Sequence, residues 1–163
     1  MSEVIVFVDD LFPRDPHYVT QDICDEIHRM SQRAERDIKT IVIHGEDLQG
    51  TPIAEALDVI ENAIDQQFDA TEDVLIGICI DLVDRRTVDR PAGLFDGELL
   101  LERIKENADL RHLDVIVYTG KFVEVDEQRL KSKGAKGIVR KAVVRGSERT
   151  YQIMATDILR MLP

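Results

Sequence analysis

Two acidic residues, Asp9 and Asp10, close the first apolar run of the chain, Val4 to Val8, and a third, Asp81, closes another, Val74 to Ile80. In an open parallel sheet, ligands bind beyond the carboxyl ends of the strands, so carboxylates ending two strands converge on one edge. Converging carboxylates are hard oxygen donors and attract a cation such as Mg²⁺. Two more runs end in residues with useful chemistry: Val115 to Tyr118 stops at Thr119, and Gly137 to Val139 stops just ahead of Lys141. Acid, hydroxyl and ammonium would share one rim. No set of His, Cys and carboxylate side chains has transition-metal spacing, and His17, His44 and His112 read as surface or packing residues.

The elements that must position this rim follow from hydrophobic period. The runs Val4 to Val8, Ile41 to Ile43, Val74 to Ile80, Val115 to Tyr118 and Gly137 to Val139 are rich in Val and Ile, as strands buried on both faces are. Between them lie helical stripes: Ile23, Ile27 and Met30; then Ile53, Leu57, Ile60, Ile64 and Phe68; then Leu100, Leu101 and Ile104. A fourth helix is predicted from about Val125 to Ser132, stopped at Gly134 in the left-handed conformation. Ser147 is placed to cap a fifth, with Tyr151, Met154, Ile158 and Met161 at helical spacing. Strict alternation implies parallel strands joined by right-handed crossovers, a doubly wound (βα)₅ α/β fold with helices on both faces. The sequence shows no repeat or linker, so residues 1–163 are expected to form a single domain.

Composition narrows the function classes. At 44% hydrophobic and 33% charged, the chain reads as an ordinary globular protein. The longest apolar stretch, Val74 to Ile80, is far short of the roughly 20 residues that cross a bilayer, and Met-Ser-Glu does not begin a signal peptide. The expectation is therefore a cytoplasmic protein, not bound to membrane, with Cys24 and Cys79 as buried, reduced thiols. A net charge of −11 argues against nonspecific binding to nucleic acid. Its distribution is uneven. From Arg129 to Arg149 there are eight basic residues and one acid, Glu148, a net of +7 against −18 for the remainder. That segment could meet an acidic partner surface or the acidic part of a second copy.

The order of these residues resembles the receiver domains of two-component response regulators, stand-alone members of the CheY-like superfamily. The match spans nearly the whole chain and is most specific in Asp96-Gly97-Glu98-Leu99-Leu100, in Leu110 through Gly120 (LRHLDVIVYTG), and in Gly134-Ala135-Lys136-Gly137 followed by Lys141. The acidic pair after the first strand, the aspartate after the third, the hydroxyl after the fourth and the lysine after the fifth are the family's five active-site positions. The resemblance implies a flavodoxin-like strand order 2-1-3-4-5. It further implies that Asp81 is the phosphoacceptor for a histidine kinase or phosphotransfer protein, that Asp9, Asp10 and Asp81 hold Mg²⁺, and that Thr119 and Lys141 engage the phosphoryl oxygens. On that reading the chain is no enzyme with a separate substrate; its chemistry is Mg²⁺-dependent self-phosphorylation and autodephosphorylation. The sequence stops at Pro163, directly after the fifth helical stripe, so signalling by contact is expected. The contact would use the Arg129 to Arg149 face toward an effector, or a homodimer with crossed ion pairs.

Several positions depart from the family pattern. The segment Val83 to Phe95 is longer than usual and carries Arg85, Arg86, Asp89, Arg90 and Pro91 beside the site. Leu11 replaces a common third acid, which predicts weaker metal binding. Ile138 stands where many members have an aromatic switch, and Ala142 removes the Lys-Pro bond that others hold cis. These departures suit an alternative, a degenerate receiver that works as a phosphorylation-independent interaction module. A Mg²⁺-dependent phosphohydrolase of haloacid dehalogenase type fits less well, because Asp81-Leu82-Val83-Asp84 lacks the Asp-x-Asp spacing of that chemistry.

Overall fold

Runs of Val and Ile with no polar interruption can be strands only where both faces are covered, and each such run forms one. The computed structural model describes residues 1–9, 19–44, 53–81, 97–119, 124–140 and 148–163. In chain order the elements are β1 (Ser2–Asp9), α1 (Val19–Arg33), β2 (Ile38–His44), α2 (Ile53–Gln67) and β3 (Asp73–Asp81). They continue as α3 (Gly97–Glu106), β4 (Asp114–Thr119), α4 (Glu124–Ser132), β5 (Gly137–Arg140) and α5 (Glu148–Met161). All strands pair in parallel, in the order β2-β1-β3-β4-β5. This is the doubly wound fold that the alternation predicts, with the flavodoxin-like order that the resemblance implies.

Successive strand side chains point to opposite faces, so each strand feeds two cores. Val4, Val6 and Val8 of β1 join Val115 and Val117 of β4 against Leu100, Leu101 and Ile104 of α3, with Ile60 and Ile64 of α2 beside them. Ile5 and Phe7 join Ile116 and Tyr118 on the other face, against Ile23 and Ile27 of α1 and Tyr151, Met154 and Ile158 of α5. Each such side chain contributes roughly 1.5–3 kcal/mol by leaving water, which makes the sheet the rigid part of the molecule. One irregularity interrupts it. The β1–β3 register shifts between Val4 and Ile5, leaving Ile76 as the extra residue on β3. The next residue, Gly77, gives room to Leu162, because a Cβ there would lie 2.3 Å from Leu162 Cδ2.

Helix ends follow local rules with one exception. Gly134 takes φ of 108°, and Ala135 N–H bonds back to Leu130 C=O at 3.1 Å, the predicted glycine stop of α4. The same geometry ends α1, where Arg36 N–H bonds to Ser31 C=O at 2.9 Å, but the left-handed residue is Glu35, with φ of 54°. β2 also begins three residues earlier than the apolar run Ile41 to Ile43 suggests. The added turn of strand carries Lys39, whose Nζ meets Asp73 at 2.8 Å. Ser147 falls outside the described residues, while α5 starts beside it at Glu148.

Glu35→Gly is expected to stabilise the fold by roughly 0.5–1 kcal/mol, because a left-handed L-residue costs more than the extra chain entropy of glycine. Urea unfolding reads it directly. Asp73 accepts hydrogen bonds from Asp69 N–H at 2.9 Å and Lys39 Nζ at 2.8 Å, and these hold its carboxyl below the usual carboxylate range. The stabilisation from a depressed carboxyl is complete above its unfolded value, about pH 4, and is lost as pH falls through the lower native value. Urea midpoints measured from neutral to acid pH should therefore fall less steeply below about pH 4 in Asp73→Asn than in the wild type.

Candidate functional site at the carboxyl edge of the sheet

Parallel strands all point one way, so their last residues gather on one edge whatever the loops do. Asp9 is the last residue of β1, Asp81 of the central strand β3, Thr119 of β4 and Arg140 of β5. The registers make these ends flush: Val8 pairs with Ile80, Asp81 with Tyr118, and Thr119 with Arg140. Neighbouring strands run about 4.8 Å apart, so Asp9 and Asp81 stand on adjacent strands within reach of a common small ligand. Lys141 follows Arg140 directly in sequence. The structure thus brings the backbones of Asp9, Asp81 and Thr119 together. Asp10, Lys141 and the segment from Val83 to Phe95 lie outside the described residues, as do Leu11, His17 and Ala142.

Asp81 is fully buried. Carboxylates are rarely this buried, which makes Asp81 a candidate site residue. The donor set fits a hard divalent cation: two carboxylates end adjacent strands, and a third, Asp10, follows the first in sequence. Asp9, Asp10 and Asp81 are the residues that would hold it. Among the described residues, which exclude Asp10, no group of three or more His, Cys, Asp or Glu side chains is arranged for a metal ion.

One feature of the site was not legible as such in the sequence. Tyr118 reads there as the end of an apolar run, yet it lies opposite Asp81 in the register and immediately before Thr119. Its ring meets Phe7 of β1 edge to face, centroids 5.8 Å apart. Its hydroxyl hydrogen-bonds the Thr20 hydroxyl at 3.0 Å, both residues buried. Beneath the strand ends, β1, β4 and the first turn of α1 are therefore joined through one phenol.

The charges of the basic segment are distributed differently from their sequence count. Glu98, buried in the first turn of α3, accepts from Arg129 Nε at 3.0 Å and Lys133 Nζ at 2.7 Å, and Lys133 also reaches Glu102 at 2.7 Å. These bonds, to Glu102 first, raise the Lys133 pKa. Lys131 pairs with Glu127 at 3.0 Å. Much of the positive charge of α4 is answered inside the molecule, and the pairs tie a helix with little apolar surface of its own to α3. Leu130 is its buried anchor. Cys24 and Cys79 are both buried as expected, and burial pushes the Cys79 thiol well up.

No family model matches the chain, and no curated protein matches it in sequence. Solved structures do match. Response regulator RPA3017, in red light signalling of R. palustris, superposes with a TM-score of 0.57 at 16% identity, covering 100% of this chain and 99% of that one. The Mn²⁺-bound form of response regulator Rcp1 gives 0.53 at 19% identity, covering 94% and 89%. Vibrio cholerae chemotaxis protein CheY4 gives 0.52 at 15% identity, covering 99% and 100%. The fold of this chain is the receiver-domain fold.

Tyr118→Phe is expected to cost about 1 kcal/mol in urea unfolding, the usual net worth of a buried hydrogen bond. Adding Thr20→Val should cost less than the sum of the two single changes, since the bond between the two hydroxyls is lost only once.

Proposed function

We propose that this protein is a single phosphoacceptor receiver unit of a two-component or phosphorelay system, with Asp81 as the residue phosphorylated. The observation that carries the reading is the placement of a fully buried aspartate at the end of the central strand, flush with the ends that bear Asp9 and Thr119 and with the strand that leads into Lys141. The receiver-domain fold supports it.

In this mechanism an Asp81 carboxylate oxygen attacks the phosphorus of a phosphohistidine on a kinase or phosphotransfer protein. The phosphorus–oxygen bond forms, the phosphorus–nitrogen bond breaks, and the imidazole leaves with the bonding pair, giving an acyl phosphate. Asp9, Asp10 and Asp81 would hold Mg²⁺, whose charge when bound would offset that of the phosphoryl oxygens beside the carboxylates. Lys141 supplies a compact positive charge to a phosphoryl oxygen and, before transfer, to Asp81. The Thr119 hydroxyl donates a hydrogen bond to another phosphoryl oxygen, and its inward movement carries the segment after β4 with it. Water later hydrolyses the acyl phosphate, so the protein is a timed switch that turns over no other substrate. Its output is protein contact through α4, β5 and α5, to an effector or to a second copy. Among the described residues, the basic side chains on α4 are already paired, and α5 adds Arg149 and Arg160 to that surface.

Intact-mass analysis after incubation with acetyl phosphate tests this. The wild type should gain one phosphoryl group only when Mg²⁺ is present, and Asp81→Asn should gain none. A wild type that stays unmodified, while folded and beside a receiver that labels under the same conditions, favours the phosphorylation-independent interaction module.

A further inference from the structure

Tyr118 is held from three sides. Its register partner on β3 is Asp81, and it directly precedes Thr119. Its ring meets that of Phe7 although β1 and β4 lie on either side of β3, two strand spacings of about 4.8 Å apart. Ring centroids only 5.8 Å apart therefore lean together across β3, between Cys79, the partner of Phe7, and Asp81, the partner of Tyr118. Cys79 lies in the same core as both rings, and Asp81, two residues on, projects to the same face. The aromatic pair thus underlies Asp81, and the phenol hydroxyl meets the Thr20 hydroxyl at 3.0 Å in the first turn of α1.

We propose that the Tyr118–Thr20 bond is a relay that makes the position of α1 depend on whether the carboxyl edge holds a phosphoryl group. The inference rests on the phosphoacceptor reading above. A displacement of Thr119 reaches Tyr118 through one planar peptide unit, and a ring in a close-packed core passes it on rather than absorbing it. Thr20 is 2% exposed, and a buried hydroxyl that gives up its partner pays the full desolvation penalty. The bond is therefore kept when the end of β4 shifts, and the first turn of α1 follows. Ile23, Cys24 and Ile27 are buried in the same core as Tyr118, so the movement spreads along one packed helix face. The relay gives the protein a second readout besides α4, β5 and α5, on the exposed polar face of α1 formed by Gln21, Asp25, His28 and Gln32.

Amide spectra of the isotopically labelled full chain, recorded with Mg²⁺ and again after adding beryllofluoride, separate the effect of the phosphoryl mimic from that of the metal. In the wild type the mimic should shift Asp81 and Thr119 and also Ile23 and Ile27, the last roughly 10 Å along α1 from Thr20. Tyr118→Phe and Thr20→Val should each lose the Ile27 response while Asp81 and Thr119 still respond, and the double variant should lose no more than either. Thr20→Ser, which keeps the hydroxyl, should retain it. Circular dichroism confirms that each variant is folded, and Thr20→Val carries the test if Tyr118→Phe is not. A bond with a merely structural role would lower the stability of these variants and leave the Ile27 response unchanged. Ile27 responding alike in wild type and both variants, or silent in a wild type whose Asp81 and Thr119 respond, would overturn the inference alone. A wild type with no response at Asp81 and Thr119 would overturn the phosphoacceptor reading and this inference with it.

Discussion

One direction shared by five buried strands is the constraint from which the rest of this molecule follows. Right-handed crossovers make the strands parallel, and parallel strands deliver every last residue to the same edge. Asp9, Asp81 and Thr119 meet there because each is the final residue of its strand. The two cores fix the sheet that holds them, and the flush registers at Ile80, Tyr118 and Arg140 keep the edge level. The placement of these strand ends therefore rests on the apolar packing of the sheet.

The opposite edge shows what an acid does when it serves structure alone. Asp73 begins the strand that Asp81 ends, and it is satisfied locally by the Asp69 N–H and by Lys39. Asp81, at the other end, sits in a fully buried position. The two ends of β3 thus carry a carboxylate held by local partners and one at the edge where the site is proposed. Tyr118 lies under that edge, braced by Phe7 and Thr20.

Most of the architecture was legible in the sequence because buried parallel strands leave unbroken Val and Ile runs and the helices leave stripes such as Leu100, Leu101 and Ile104. The stop at Gly134 was legible because glycine is the usual residue there. The stop at Glu35 was not, because a glutamate gives no sign of a left-handed backbone. The early part of β2 was hidden by Lys39, which looks like a surface residue until its partner Asp73 is known. The extra residue at Ile76 leaves no mark in an unbroken apolar run, and the glycine beside it makes room for Leu162, far away in sequence. Of the candidate site, strand-end acids announce themselves by position. The Tyr118–Thr20 bond and the pairing of Glu98 with Arg129 and Lys133 do not, because each joins side chains that share no local pattern. The same pairing reduces the free charge on α4, which a count along the sequence cannot register.

The central claim is that one edge of the sheet binds a divalent cation and a phosphoryl group together. Amide chemical shifts of the isotopically labelled protein, titrated with Mg²⁺ and then with beryllofluoride as a phosphoryl mimic, test it most directly. Saturable shifts at Asp9, Asp81, Thr119 and Arg140, with Ser2, Asp73 and Asp114 at the other edge unmoved and all shifts lost in Asp81→Asn, are the predicted result. No saturable shift in the folded wild type, or shifts centred away from the carboxyl edge, would contradict the account.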